Sequence, residues 1–422
     1  MRIAVFTDNF HPEIGGIQDS IRTNVRELGK RGHKIIVFAP AAAARDYRRV
    51  NLPVAEPDLG PNVTICRLFS VPMHSSSQQS RVVIPTGRCW REAAAFQPDI
   101  VHSHSFLGVG LEGLWAARRL GLPLVGTNHW AVGAFDMYAP IARGALRRVS
   151  SRAVVRYYQY CDYVTGPSRF TIGDMRATGL DRPCSVISNP IDTTFFHAIS
   201  ETKRQRLKAR LGFGTATIIY AGRLAREKRI DVLIRAVATV QKKLPAVTLV
   251  LAGHGSSRDK LKALTHELGI NRQVYFVGTL AHDELADLFS AADLFAIAST
   301  SETQRMVLMQ AMACGLPVVG ARCGGLIEYI PAAVGLLSDP VGASDLSDKL
   351  VRILASQPMR QKMRRHAHRF AGKFSVSSIA DAWEDVYTRL VYDRSSDSLP
   401  SDTPLQFTQG ISHALEHHHS GL

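Results

Sequence analysis

Two cations five residues apart, Arg223 and Lys228, follow the short apolar run Thr217–Tyr220 in the segment AGRLAREKRIDVLI. At the end of a strand and just ahead of a helix they suit a diphosphate, the arginine as a fork and the lysine as a point charge. A solvated turn is the plain alternative. A second segment, STSETQRMVLMQAMACGLPVVG, sets Glu302 in front of a helix expected over Met306–Cys314. A carboxylate beside helix-start amides can bind sugar hydroxyls and phosphate together, although Ser301 or Glu302 would serve equally as a simple cap. Gly15 and Gly16 precede the helix-like stretch Ile17–Lys30, where backbone N–H groups can approach a phosphate or a sugar. Gly253 and Gly255 in LAGHGSS stand at another strand end, and taken alone they read as a turn. GVGLEG over Gly108–Gly113 has the spacing of a dinucleotide-binding turn. It follows a middle strand, however, and no acidic residue ends the next one, LPLVGTNHW, so close helix–sheet packing accounts for it better.

Strands and helices must alternate to hold these residues. Ile3–Thr7, Ile35–Ala39, Ile100–His102 and Leu124–Thr127 are short apolar runs, and helical patterns lie at Ile17–Lys30 and Gly110–Leu120. After residue 200 the pattern recurs, with strands at Thr217–Tyr220, Val247–Leu251, Val274–Val277 and Leu294–Ile297 and a helix at Ile230–Leu244. Continuous apolar strands alternating with amphipathic helices imply parallel sheets covered on both faces. Two doubly wound Rossmann-like domains follow, with ligands in the cleft at the strands' C-terminal ends. The expected division is 1–197, 198–375, a C-terminal helix at 376–392 that packs back on the first domain, and a mobile tail at 393–422.

Length and composition agree with this reading. A chain of 422 residues suits two or three domains of roughly 150 residues each. Hydrophobic residues at 45% and charged ones at 21% exclude a disordered, collagen-like or disulfide-scaffold chain. No apolar run reaches the roughly 18–20 residues of a spanning helix. Asp8 interrupts any N-terminal signal core, so secretion is not expected. Six cysteines without CxxC or His/Cys zinc spacing read as reduced thiols. The net charge of +15 favours phosphate-bearing partners without choosing among nucleotide, nucleic acid and anionic lipid.

In combination, HPEIGGIQ (11–18), DIVHSHS (99–105), GTNHW (126–130), SNPIDTTFF (188–196), GRLAREK (222–228), AGHG (252–255) and SETQRMVLMQAMACGLPVVG (301–320) resemble the retaining GT-B glycosyltransferases of family 4. The likeness runs from residue 1 to about 392. It implies transfer of a hexose from a nucleotide sugar with retained configuration and without a metal or other cofactor; no Asp-x-Asp motif occurs in the chain. By that pattern Gly15 and Gly16 line the phosphate and acceptor cleft, and His129 bonds hydroxyls of the reacting sugar. Arg223 and Lys228 hold the diphosphate and stabilise the leaving charge. Gly253 belongs to the donor site, Glu302 contacts the donor sugar, and the amides near Met306 and Val307 complete the phosphate site.

Three positions depart from the pattern. Gln310 replaces the second glutamate of Glu-x7-Glu, which commonly bonds the ribose. Arg305 replaces a glycine, where a long cation could crowd the sugar or reach a phosphate or acidic sugar. Arg229 replaces the glycine that ends GRLxxEKG. FDMYAP (135–140) and SETQ resemble members that glycosylate diacylglycerol, so a membrane lipid is the expected acceptor, with a soluble or polysaccharide-precursor acceptor as the alternative. YRRV (47–50) and the basic tract with Arg143, Arg147, Arg148, Arg152 and Arg156 are expected to meet an anionic membrane, with Tyr157 and Tyr158 at headgroup depth. The protein is then expected to be cytoplasmic and peripheral on the inner face of the membrane. No nucleic-acid partner is expected, and the sequence is silent on oligomeric state. Two other classes stay open: a nucleotide-sugar-binding protein with little turnover, and a dehydrogenase using the 108–113 glycines.

Overall fold

The computed structural model describes residues 1–72, 81–132, 145–214 and 216–392, with the backbone alone for residues 145–150. FDMYAP, Arg143 and the expected tail lie outside the described residues.

Among the described residues the first half contains nine strands: β1 (Arg2–Phe6), β2 (Lys34–Pro40), β3 (Val63–Leu68), β4 (Ser70–Pro72), β5 (Arg81–Val83), β6 (Ile100–Ser103), β7 (Leu124–Thr127), β8 (Tyr163–Gly166) and β9 (Cys184–Val186). Seven of them form a parallel sheet in the order β3-β2-β1-β6-β7-β8-β9, and β4 and β5 make a separate antiparallel hairpin. The second half contains β10 (Ala216–Ala221), β11 (Val247–Ala252), β12 (Val274–Gly278), β13 (Leu294–Ile297), β14 (Val318–Ala321) and β15 (Gly335–Ser338), ordered β12-β11-β10-β13-β14-β15, again parallel. Central strands such as β10 and β13 are buried along their whole length, as parallel strands covered by helices on both faces must be. Strand order reverses between β1 and β6 in one sheet and between β10 and β13 in the other. Each reversal opens a crevice at the C-terminal ends of the strands.

The helix Gly108–Leu120 begins at the first glycine of GVGLEG, so all three glycines lie within its first two turns. A Cβ on Gly113 would sit 2.8 Å from Cγ of Phe6 in β1, and one on Gly110 would strike the Ser105 backbone. The glycines let the helix lie close on the sheet, and the space a dinucleotide would need beside them is filled by protein.

The charged stretch Glu201–Arg210 is a helix held to the second sheet by burial of its own cations. Arg204 and Lys208 each place a nitrogen 2.6 Å from the buried Asp293 carboxylate, which also accepts the Thr217 N–H at the start of β10. The last helix, Val376–Tyr392, returns to the first half. Ile379, Ala380, Trp383, Val386 and Tyr387 share a core with Ile3, Val5, Ile21 and Val25. Arg31 lies 2.6 Å from both Asp381 and Glu384, and His33 lies 2.7 Å from Glu384.

The basic tract requires a correction. Its helix, Ala145–Tyr158, exists, but Tyr157 and Tyr158 are core residues and not headgroup contacts. The Tyr157 hydroxyl lies 2.8 Å from Ser103 Oγ and 3.0 Å from the Gly110 carbonyl. Tyr158 donates to the Thr127 carbonyl at 3.1 Å. Val154 and Val155 are buried beside them. This face of the helix covers β6 and β7, and membrane lipid cannot reach it. Arg152 and Arg156 point to solvent; Arg147 and Arg148 lie in the stretch described by backbone alone. Among the described residues no helix is long and apolar enough to cross a membrane, and all six cysteines are free.

Candidate active site

The two strand-order reversals place the expected site residues. After β10 the chain turns through Gly222 and Arg223 into a single 3-10 turn, Arg226–Lys228, and then into the helix Ile230–Lys243. Gly253, at φ 133°, lies so close to Gly222 that a Cβ would enter the Gly222 backbone; this packs the ends of β10 and β11 tightly together. Arg229 adopts a left-handed conformation, φ 49° and ψ 40°, which explains why the related pattern carries glycine there. Its guanidinium bonds the Pro340 carbonyl, a tether that helps hold the strained turn.

Lys228 and Glu302 meet from opposite sides of the β10/β13 reversal, Nζ to Oε1 2.8 Å, both nearly buried. Arg305 does not extend toward a sugar. It folds back so that Nη1 reaches the same Glu302 oxygen at 3.2 Å, while Nη2 lies 3.2 Å from the Tyr220 hydroxyl and 3.3 Å from the Ala221 carbonyl. Burial alone would raise the Glu302 pKa; the charges of Arg305 and Lys228 overrule it and pull the carboxyl down to about 2. Burial and the neighbouring Arg305 charge lower the Lys228 pKa. The cluster of two cations and one anion therefore carries a net positive charge at the end of β10. Arg223 lies 2.7 Å from Glu227. Met306 begins the helix Met306–Ala313, which no side chain caps, with Val307 next and the buried Gln310 one turn further on.

Across the cleft, three histidines gather in one buried stack: His102 within β6, His104 just after it, and His129 after β7. The His102 and His104 ring centroids are 3.9 Å apart, and His104 Nδ1 lies 3.0 Å from His129 Nε2. His102 is fixed by the Tyr387 hydroxyl and by Thr127 Oγ1, each at 2.7 Å. Burial lowers all three pKa values, His129 to about 4 and His102 to about 3, so the stack is neutral near pH 7. His129 Nδ1 is buried and finds no partner among the described residues. Nearby, the loop after β1 carries Asp8, whose Oδ1 accepts the Val109 N–H at 2.9 Å, and Glu13, which accepts from Asn9 at 3.1 Å. Burial raises both carboxyl pKa values. With Phe10, His11, Asp46 and Arg81 they line a recess at the ends of β1 and β2.

Residues 302–305 join the two sides. Thr303 Oγ1 donates to the His129 carbonyl at 3.0 Å, and Gln304 accepts the Asn189 N–H at 2.7 Å. A Cβ on Gly16 would lie 3.5 Å from Met306 Sδ, so the Gly15–Gly16 turn faces the Met306 helix. The structure thus brings Gly15, Gly16, His129, Arg223, Lys228, Gly253, Glu302, Met306, Val307 and Gln310 to one cleft. The basic-tract residues Arg152 and Arg156 stand apart from it. His104, Thr303, Gln304, Asp8 and Glu13 escaped the sequence reading; the pair of histidines in DIVHSHS was the available signal for the first.

Residues 14–195 match the family described as Glycosyltransferase Family 4, and residues 202–370 match glycosyl transferases group 1. An alpha-monoglucosyldiacylglycerol synthase of Streptococcus pneumoniae is 31% identical over 373 residues, covering 85% of this chain and 79% of its own. A D-inositol 3-phosphate glycosyltransferase of Mycobacterium bovis is 30% identical over 402 residues, covering 90% and 80%. The crystal structure of Anabaena HepE in complex with UDP-glucose superposes with a TM-score of 0.71 at 20% identity, over 92% of this chain and 99% of that one. The sequence motifs, the paired parallel sheets and these relatives agree: the chain belongs to the GT-B glycosyltransferases of family 4.

Proposed function

We propose that the protein transfers a hexose from a nucleoside-diphosphate sugar to the hydroxyl of a membrane lipid such as diacylglycerol or a glycolipid, with retained anomeric configuration and without a metal. The observation that carries this reading is the cluster of Lys228, Arg305 and Glu302, tied to the neutral His129 through the hydrogen bond from the adjoining Thr303 to the His129 carbonyl. As the glycosidic bond to the diphosphate breaks, negative charge grows on the phosphate oxygen that bridged it. Lys228 and Arg223 stabilise that charge where water is largely excluded, so they act more strongly in the transition state than in the ground state. Glu302, kept ionised, accepts from donor-sugar hydroxyls. His129 Nδ1, which has no partner among the described residues, bonds a further sugar hydroxyl. The Met306 and Val307 amides take a phosphate oxygen, and Gln310 reaches the ribose.

A glycerolipid acceptor is supported by the 31% identity to a monoglucosyldiacylglycerol synthase. The exposed Arg152 and Arg156 fit a peripheral position on an anionic, cytoplasmic membrane face. A soluble, phosphorylated polyol acceptor is the second reading, favoured by the 30% identity to a D-inositol 3-phosphate glycosyltransferase.

The test incubates the protein with a panel of nucleotide hexoses, with and without a chelator. Diacylglycerol, a total membrane-lipid extract and inositol phosphate serve as acceptors, and product anomers are assigned by NMR. Chelator-insensitive transfer to lipid with the donor's configuration supports the proposal. Transfer to inositol phosphate alone moves the acceptor to the second reading, and binding without turnover refutes an active transferase.

A further inference from the structure

The β4–β5 hairpin has an apolar surface on the side that should face water. Its register pairs Ser70 with Val83 and Val71 with Val82. Carried one residue further, the same register sets Phe69 opposite Ile84. Ser70 and Val83 turn inward and are buried, whereas Phe69 is 78% and Ile84 60% exposed, with Val71 exposed beside them. A solvated antiparallel pair normally alternates apolar-in with polar-out; here Ser70 and Arg81 share the inner face with Val83, and the outer face is apolar.

The neighbouring helix Gly108–Leu120 continues the patch. Leu107, Leu111, Trp115 and Arg119 recur every four residues and so share one side; Leu107 and Trp115 are exposed. Gly108 packs against the Val83 backbone, and Trp115 packs against Gly87, which joins the stripe to the hairpin. Glu112, the acidic residue of this helix, is buried and accepts the Gly87 N–H at 2.7 Å. The outer side of the helix therefore shows no negative charge, while Arg88, Arg118 and Arg119 are exposed around the apolar residues. Arg119 stacks over Trp90 at 4.4 Å. On the adjoining helix Trp90–Phe96, exposed Arg91 and Glu92 offset each other.

We infer that this surface, the outer face of the hairpin together with the Leu107–Arg119 stripe, is where the protein lies on an anionic lipid bilayer. Aromatic and aliphatic side chains enter the headgroup layer while arginines around them bind lipid phosphates, the arrangement that holds a protein in the interface without spanning it. Contiguous apolar surface of this kind is uncommon on a soluble monomer unless it meets a partner, and the ring of cations selects an anionic one. Its place fits the chemistry. Gly108 and Val109 border the patch and also contact Asp8 at the end of β1, Val109 through its N–H, so the bilayer would meet the acceptor side of the cleft at its lip. The inference deepens the lipid-acceptor reading and rests on it for that orientation.

The test uses the full chain and vesicles, without donor or acceptor. Sedimentation is measured with phosphatidylcholine vesicles with and without phosphatidylglycerol, at low and high salt. Strong binding is expected to the anionic vesicles and weak binding to the neutral ones. Phe69→Ser with Ile84→Ser, and separately Leu107→Ser with Trp115→Ala, should each weaken anionic-vesicle binding about tenfold, or about 1.4 kcal/mol, with circular dichroism unchanged. If a serine variant does not fold, two measurements still decide. Arg118→Gln with Arg119→Gln should remove part of the salt-sensitive binding, and brominated lipid should quench tryptophan emission in the parent much more than in Trp115→Phe. Parent-like binding of every folded variant overturns the inference. So does a concentration-dependent dimer that the Phe69→Ser, Ile84→Ser variant dissolves without changing vesicle binding. Binding that maps here while no diacylglycerol is glycosylated leaves the surface standing and removes the lipid-acceptor reading; lipid transfer without such mapping removes the surface alone.

Discussion

The two sides of the cleft use opposite electrostatics. After β10 and β13 the chain buries charge: Lys228 and Arg305 converge on one oxygen of Glu302. At the ends of β6 and β7 it buries neutrality: His102, His104 and His129 stack with their pKa values depressed by burial. A diphosphate leaving group needs fixed cations, and such cations keep their charge in a buried site only when a carboxylate shares it. Sugar and acceptor hydroxyls need donors and acceptors that stay uncharged, which a buried imidazole supplies. The difference assigns charge stabilisation to one sheet and hydroxyl positioning to the other, with Thr303 joining them through the His129 carbonyl.

The comparison can be broken most severely at Lys228. Lys228→Ala should lower kcat/KM by about 2–4 kcal/mol, as loss of a charge-stabilising donor commonly does. Steady-state kinetics with the best nucleotide hexose reads this, and parent-like activity would remove the lysine from the mechanism. Arg305 tests whether the cluster is also structural. Arg305→Ala strips one charged hydrogen bond from buried Glu302 and should destabilise the fold by about 1.5–3 kcal/mol in urea titrations. Arg305→Lys should recover part of that loss, because a single ammonium cannot span Glu302, Tyr220 and the Ala221 carbonyl as the fork does.

The neutral side is sharpened by pH. Histidines with lowered folded pKa values contribute stability that is fully present above their unfolded value, near 6.5, and is lost as pH falls toward about 4 at His129. In that window the unfolded chain binds more protons, so stability should fall with acidification by up to about 1.4 kcal/mol per pH unit for each histidine. The raised pKa values of Asp8 and Glu13 act in the opposite direction. The difference between parent and His104→Phe therefore isolates the stack, and the melting temperature of the variant should vary less between pH 7 and pH 5. An unchanged slope would mean that the stack is not the neutral element proposed. The smallest effect concerns Gln310. If the amide makes a weaker ribose contact, Gln310→Glu should tighten nucleotide binding by about 0.5–1.5 kcal/mol, read by calorimetry; weaker binding would mean that the pocket is built around the amide.

Much of this was legible before the fold was known, for a physical reason. Buried parallel strands are near-continuous apolar runs, so β1, β2, β6, β7, β10, β11 and β13 stand out, and the residues just after them fall at the strand-order reversals. β3, β9 and β15 lie at sheet edges and β4 and β5 in the hairpin, where burial is partial and the periodic signal fades; edge position is not the whole reason, since the edge strand β12 was expected while the short buried strands β8 and β14 were not. Arg305 was legible as a departure but not in its direction, because its partners Tyr220 and Ala221 lie more than eighty residues away in sequence. The histidine stack depends on Tyr387, which reaches His102 across 285 residues, and no local pattern encodes that contact. Tyr157 and Tyr158 misled because a tyrosine beside arginines looks alike on a membrane-facing helix and on one whose other face covers a sheet.

Calorimetric titration of one nucleoside diphosphate into the parent, Lys228→Ala and His129→Ala tests the division of labour most directly. The account predicts that Lys228→Ala loses about tenfold or more in affinity, at least about 1.4 kcal/mol, while His129→Ala binds the nucleotide nearly as the parent does yet fails to transfer sugar. Equal losses of affinity in both variants, or parent-like affinity in Lys228→Ala, would contradict it.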